Sequence, residues 1–243
     1  VRLPQLLEWL AAKQPDVVCL QETKLEDPNF PQAEIEAAGY KAVFSGQKTY
    51  NGVALLSRGD PGDVVCGNPH FPDPQKRLIA ATVGGVRLIC AYVPNGQAVG
   101  SDKYDYKLAW LEALERWLAE QLASYPKLAL AGDFNIAPED RDVHNPDAWA
   151  GQILCSEPER AAFRRLQALG LRDSFRLFEQ PEKSFSWWDY RMLGFQKNQG
   201  LRIDHILLSE PLAARCTAAG IDREMRKRER PSDHAPVTAT FSD

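Results

Sequence analysis

The lacks in this sequence narrow its reading first. No apolar run comes near the roughly 20 residues that a membrane-crossing helix needs, and the opening residues do not have the block pattern of a signal peptide. No two cysteines form a C-x-x-C pair; the five (Cys19, Cys66, Cys90, Cys155, Cys216) are scattered, mostly beside apolar neighbours. An odd count without metal spacing suits reduced, buried thiols in a cytosol rather than a disulfide framework. The four histidines and five cysteines show no ligand spacing, which argues against zinc. There is no internal repeat, low-complexity tract or linker, and no serine or cysteine arranged as a nucleophile with its base. An excess of positive charge is missing too. With 29 basic and 33 acidic side chains the net charge is −4. That argues against a wholesale electrostatic nucleic-acid binder and leaves room for one basic face around an acidic pocket. What is present is apolar content, 44% of 243 residues, ample for a core and expected to form one domain over residues 1–243.

Strand and helix signals interleave along the chain. Arg2 to Lys13 has leucines 3, 6, 7 and 10 on one helical face. Asp16 to Leu20 is a compact apolar strand. Gln32 to Ala38 reads as a helix capped by Gly39. Tyr40 to Phe44 and Gly52 to Ser57 read as neighbouring strands, and Leu78 to Val83 and Val86 to Val93 flank the hairpin signal Gly84-Gly85. Lys103 to Ala123 and Glu157 to Leu169 have helical spacing. Leu128 to Ala131, Ile203 to Leu208, Gly220 to Glu224 and Pro236 to Phe241 are further strands. Such alternation with hairpin-like neighbours predicts a layered, mixed α/β fold.

Four polar clusters fall at strand ends, where a scaffold holds functional groups rigidly. Gln21-Glu22 follows the first apolar strand. Asp133 and Asn135 flank Phe134, and in an extended segment both would point one way with Phe134 turned into the core. Asp204 interrupts the apolar run Leu201 to Leu208, where a carboxylate needs a histidine or arginine partner. Asp233-His234 precedes the last strand. Taken singly, each has a plain alternative: an Asp/Asn turn, a solvated helix start, a structural ion pair. Together they supply four carboxylates, the Asn135 amide and an imidazole, which suits metal-assisted phosphodiester hydrolysis. Hard oxygens such as those of Glu22 and Asp233 favour Mg²⁺ or Mn²⁺. Asp133 can orient and deprotonate a water that Asn135 positions. His234 can donate to a phosphate oxygen while Asp204 sets its tautomer.

At these residues the chain resembles the exonuclease III family of the endonuclease/exonuclease/phosphatase superfamily. The matching runs are Val17 to Lys24, Tyr92 to Gly96, Gly132 to Pro138, Phe185 to Tyr190, Gly200 to Asp204 and Arg230 to Pro236. They occur in family order, and the tryptophan and Arg-Ile-Asp runs belong to its AP endonuclease, DNA-repair branch. The resemblance implies a four-layered α/β sandwich of the DNase I-like kind, with two packed mixed β-sheets flanked by helices. It also implies a Mg²⁺-dependent hydrolase acting on double-stranded DNA. Such an enzyme cuts 5′ to abasic sites, degrades from 3′ ends and removes 3′ phosphates. By position, Glu22 and Asp233 take the metal, Asp133 and Asn135 activate water, Tyr92 contacts the scissile phosphate, and Asp204 pairs with His234. Trp187, Leu201 and Ile203 fall where the family builds an apolar pocket for a flipped-out abasic sugar. Core packing is the other reading for these three. Arg191, Lys197 and Arg202 are expected at a DNA-facing edge around that pocket, Trp188 is expected to contact the DNA beside Trp187, and the loops near Trp188, Arg191 and Gln97 are expected to tune access.

The family's first strand carries an asparagine that nothing before Val1 supplies, so a strand is expected upstream of residue 1. Two rival functions remain open from sequence. One keeps the fold and takes a lipid or inositol phosphate. The other is a DNA-binding module with weakened catalysis. A cytoplasmic monomer without membrane attachment is the default expectation.

Overall fold

Five residues that bury every side chain, Val53 to Ser57, explain how the amino-terminal part of the chain is built. The computed structural model describes residues 1–243, which divide into two compact units, Val1–Tyr92 with Leu130–Gly132, and Val93–Ala129 with Asp133–Asp243.

In the first unit, α1 (Leu3–Lys13) carries a proline in its first turn and buries Trp9 and Leu10. It stops at Gln14, left-handed at φ 47°, whose N–H returns to the Leu10 carbonyl. Then come β1 (Val17–Gln21), α2 (Gln32–Ala37), β2 (Lys41–Ser45) and β3 (Val53–Ser57). β3 lies between β1 and β2, antiparallel to both, so its two faces and both edges are covered. The remaining strands are β4 (Gly62–Cys66), β5 (Leu78–Val83) and β6 (Val86–Tyr92), successive antiparallel neighbours. Gly84 and Gly85 turn the β5–β6 hairpin with φ of 56° and 79°, the doubly positive pair that such a tight turn demands. The two sheets meet through Val53 and Leu55 on one side and Ile79, Ala81 and Cys90 on the other, with Val17, Cys19, Val43, Leu88 and Tyr92 around them. Each aliphatic group sealed there contributes roughly 1.5–3 kcal/mol. Gly132 also belongs here: a Cβ on it would stand 1.9 Å from the Ala91 carbonyl oxygen, so only glycine permits the approach.

The second unit is anchored by α3 (Asp102–Ser124), whose Ser101 cap accepts from the Tyr104 N–H. Its inner stripe is Tyr104, Lys107, Trp110, Leu111, Leu114, Trp117 and Leu118. β7 (Leu128–Asp133) follows, then a short α4 (Pro146–Trp149) and α5 (Glu157–Ala168), which starts with a reciprocal Ser156–Glu159 capping box. β8 (Leu171–Asp173) pairs antiparallel with the later β11 (Asp204–Ser209). Between them β9 (Trp187–Trp188) and β10 (Gly200–Leu201) form a two-rung ladder. After α6 (Glu210–Ala213), β12 (Cys216–Ile221) and β13 (Val237–Phe241) pair antiparallel.

The expected mixed α/β class, two main sheets flanked by helices, is the observed one. Two details differ from the sequence reading. The strand expected over Gly220 to Glu224 begins earlier, at Cys216, and ends at Ile221. Arg223–Lys227, which that strand was expected to enter, is a 3-10 turn with Arg226 buried. All five cysteines are free thiols. No helix is long and apolar enough to cross a membrane.

Candidate active site

β7 runs out at Asp133, and the next three residues set the site. Phe134 goes into the core, edge-on to Phe163 and His205. Asn135 does not continue the strand. Its φ is 49°, and its N–H donates to Asp133 Oδ1 at 2.9 Å. The pair is therefore assembled by an Asx turn instead of by strand alternation, because a short acceptor side chain two residues back replaces a ladder partner. The Asn135 Nδ2 donates to the Val93 carbonyl at 2.9 Å, and Asn95 Nδ2 donates to Asn135 Oδ1 at 3.4 Å.

His234 reaches the same place from the other end of the chain. Its Nδ1 bonds Asp204 Oδ2 at 2.8 Å, and its Nε2 lies 3.7 Å from Asp133 Oδ2. Burial alone would push the imidazole down, but Asp204, Asp133 and Asp233 outweigh that and raise its pKa to about 10. At neutral pH it is an imidazolium with both nitrogens protonated. Asp204 stays fixed because the Ser186 hydroxyl accepts from the Ile203 and Asp204 N–H groups at 3.0 and 3.1 Å. Asp233 accepts the Trp187 indole N–H at 3.0 Å, and Trp187 and His234 face each other in an isolated bridge.

Trp187 packs half-buried against a cluster that includes Leu201, Ile203, Ala137, Val143, Leu154 and Cys155. Leu201 and Ile203 are sealed within it. Two expected DNA contacts are corrected. Trp188 is fully buried against Phe185, Ala235 and Phe195, since its neighbour in β9 takes the outward face. Arg202, 2% exposed, sits between the carboxylates of Asp142 and Asp173 at 2.7 Å from each. A guanidinium held by two buried carboxylates has no path to a phosphate. Arg191, its side chain 84% exposed, pairs with Asp189 at 2.7 Å, and Lys197 is exposed.

In the first unit, Glu22 follows β1 in a left-handed conformation, φ 55°, with a carboxylate 37% exposed and 3.1 Å from Lys24 Nζ. Tyr92 closes β6 under the Arg77 guanidinium, 4.7 Å above its ring.

His205 turns away from Asp204 into the core. Its Nε2 bonds the Ile136 carbonyl at 2.8 Å, and its Nδ1 meets Arg202 Nη1 at 3.2 Å. Burial first, and then the Arg202 charge, lowers its pKa from 6.5 to about 4. The unfolded chain therefore binds the proton more readily in this interval. The stabilisation is complete above about pH 6.5 and is lost as pH falls through about 4, worth up to roughly 3 kcal/mol. His205→Gln keeps a donor toward Ile136 and cannot be protonated, so its melting temperature is expected to fall less steeply than the native protein's between pH 6.5 and 4.

Sequence reasoning missed the groups that hold these residues. Lys107 and Glu159 form a fully buried ion pair, and Lys107 bonds the Asn135 carbonyl. Asn95 lay in a matched run without a role. Lys107 carried a visible signal, a charge on the apolar stripe of α3 between Tyr104 and Leu111. Asp142 and Asp173 carried none.

A charged imidazole between two carboxylates, beside an amide held at a strand end, is the equipment that hydrolysis of an anionic ester requires. The chain matches the Endonuclease/Exonuclease/phosphatase family over residues 2–234. It is 40% identical over 252 residues to exodeoxyribonuclease III of Haemophilus influenzae, covering 98% of this chain and 94% of that protein. Among solved structures, the 3′ phosphatase NExo from Neisseria, bound to a product DNA hairpin, superposes with a TM-score of 0.98 at 49% identity, covering 99% of this chain and 94% of that one. An AP endonuclease from Archaeoglobus fulgidus gives 0.96 at 39% identity, covering 100% and 95%. The chain belongs to the Endonuclease/Exonuclease/phosphatase family and, within it, to the exonuclease III branch.

Proposed function

We propose that this protein is a DNA-repair phosphodiesterase acting on duplex DNA as a 3′–5′ exonuclease, a 3′-phosphatase and an AP endonuclease cutting 5′ to abasic sites. The observation that carries the reading is the His234 imidazolium, held by Asp204 and facing Asp133. An anionic phosphate is the substrate that such a donor recognises. The likeness to exodeoxyribonuclease III and NExo supports DNA as its bearer.

In this reading Asp133 takes the proton of the attacking water, and the Asn135 amide orients that water. His234 donates to a non-bridging phosphate oxygen as charge develops there. Tyr92 contacts the scissile phosphate. Glu22 and Asp233 are the proposed ligands of a divalent cation. The family is one of divalent-metal-dependent nucleases. The donor set fits a hard ion: carboxylate oxygens without a thiolate, and at Glu22 an exposed carboxylate paired with the exposed Lys24. Mg²⁺ or Mn²⁺ bound there would offset charge on the phosphate oxygens. Trp187, with Leu201 and Ile203 behind it, offers an apolar wall to an abasic sugar. Arg191 and Lys197 are exposed cations for phosphate contacts beside it. The free thiols suit a reducing compartment such as the cytoplasm, and a monomer suffices for the reaction.

The test uses two duplexes, one with a single abasic analogue and one with a 3′ phosphate, each with Mg²⁺ and then with excess EDTA. Incision and phosphate release with Mg²⁺, both lost in EDTA, are expected. No metal-dependent turnover on either duplex would overturn the proposal.

A further inference from the structure

We infer that Lys107 is a positioning residue, a single buried ammonium on which both asparagines of the site, Asn95 and Asn135, are mounted. The inference rests on the phosphodiesterase reading above and assigns a role that this reading does not need.

Lys107 is fully buried in α3, where its stripe otherwise consists of aromatic and aliphatic side chains. An apolar residue would fit that stripe without the penalty of desolvating a charge. The ammonium nevertheless has three acceptors for its three protons. Nζ donates to the Asn135 carbonyl at 2.6 Å, to the Asn95 carbonyl at 3.2 Å and to the Glu159 carboxylate. Asn135 needs such a donor because its left-handed turn takes its carbonyl out of the strand ladder. The two asparagines also touch each other, Asn95 Nδ2 to Asn135 Oδ1. One cation thus fixes both backbones, and the amides fix one another.

The mount is itself rigid. Glu159 accepts from the Leu154 N–H at 3.0 Å, the Ser156 N–H at 3.1 Å and the Ser156 hydroxyl at 2.5 Å. The Ser156 hydroxyl meets the Tyr104 hydroxyl at 2.7 Å, closing the network back onto α3. Gly96 wraps the lysine stem so closely that a Cβ there would lie 3.0 Å from Lys107 Cδ. Lys107 stands behind the asparagines, bonded to their backbones, and so acts through them.

Lys107→Met keeps the length of the stem and removes the ammonium. Turnover of the 3′-phosphorylated duplex is expected to fall at least tenfold with KM for DNA within twofold of the native value. Two controls separate positioning from stability. Leu114→Ala removes packing from the same stripe without touching the asparagines. Lys107→Met with Glu159→Gln removes both buried charges, so that no carboxylate is left unpaired. All are assayed well below their melting temperatures. Positioning predicts near-native turnover for Leu114→Ala and low turnover for the double variant, even where its melting temperature recovers. Turnover that tracks melting temperature across the set would overturn the inference. An independent readout is the side-chain amide NMR signals of Asn95 and Asn135, expected to move in Lys107→Met and to stay put in Leu114→Ala. Unmoved signals would overturn it whatever the native activity, whereas an inactive native protein with moving signals would count only against the phosphodiesterase reading.

Discussion

Asp133→Asn is expected to lower turnover on a 3′-phosphorylated or abasic-site duplex by about 10²–10⁴-fold, the range a positioned general base contributes, with the melting temperature nearly unchanged. The substitution is isosteric. The new amide oxygen can still accept the Asn135 N–H that now reaches Oδ1 at 2.9 Å, so the turn survives. What disappears is the basicity needed to take a proton from water. KM should hold or fall, since a negative charge is withdrawn from beside the phosphate. The change also removes one of the three carboxylates that keep His234 protonated, which lowers the imidazole's pKa toward its ordinary value. A steady-state comparison of kcat and KM, with circular dichroism as the folding control, decides the matter. Turnover within tenfold of native would assign water activation to another group.

Arg202→Leu carries the largest expected loss of stability. Asp142 and Asp173 are both buried and both depend on this guanidinium. For Asp173 burial pushes the carboxyl up, and the Arg202 charge and hydrogen bonds more than reverse it, leaving it below the ordinary carboxylate range. Removing the cation leaves two buried carboxylates, Asp142 with Arg176 at 2.6 Å and the Glu139 N–H, and Asp173 with the Phe175 N–H and no cation bonded to it. Breaking a buried pair in this way costs about 3–5 kcal/mol, which for a chain of this size lowers the melting temperature by on the order of 10 °C. The same variant settles where Arg202 acts. A phosphate contact would remove about one unit from the slope of DNA affinity against salt, whereas a buried strut leaves that slope intact.

The site was legible where chemistry and position coincide. Asp133, Asn135 and Asp204 follow or interrupt strong apolar runs and His234 stands just before the last strand, and a polar residue at such a place has few reasons to exist other than function or a partner. The structure brings Asp133, Asp204 and His234 together, His234 hydrogen-bonded to Asp204 at 2.8 Å and 3.7 Å from the Asp133 carboxylate. The conformation of Asn135 was not legible, because an Asx turn and a continuing strand share the same residues. Arg202 was misread for a related reason. A basic side chain between Leu201 and Ile203 looks like an edge cation until Asp142 and Asp173 are known to be opposite, and nothing periodic links positions 60 and 29 residues apart. The long elements were readable from spacing, as α3 and the β5–β6 hairpin illustrate. β9 and β10, two residues each, carry no period at all. Their pairing depends on side chains already packed around them, Trp188 on Phe195 and Leu201 on Ala137.

The adjacent pair Asp204 and His205 opens β11 with its two side chains on opposite faces, one toward His234 and one toward Ile136. A shift of that strand by a single residue would exchange them, putting an anion among phenylalanines and an imidazole where the acid belongs. Frame, here, is guarded from both sides at once. Insertions or deletions in this dipeptide's neighbourhood should be tolerated far less well than substitutions, and evolution of this segment is expected to proceed by changing letters without changing length.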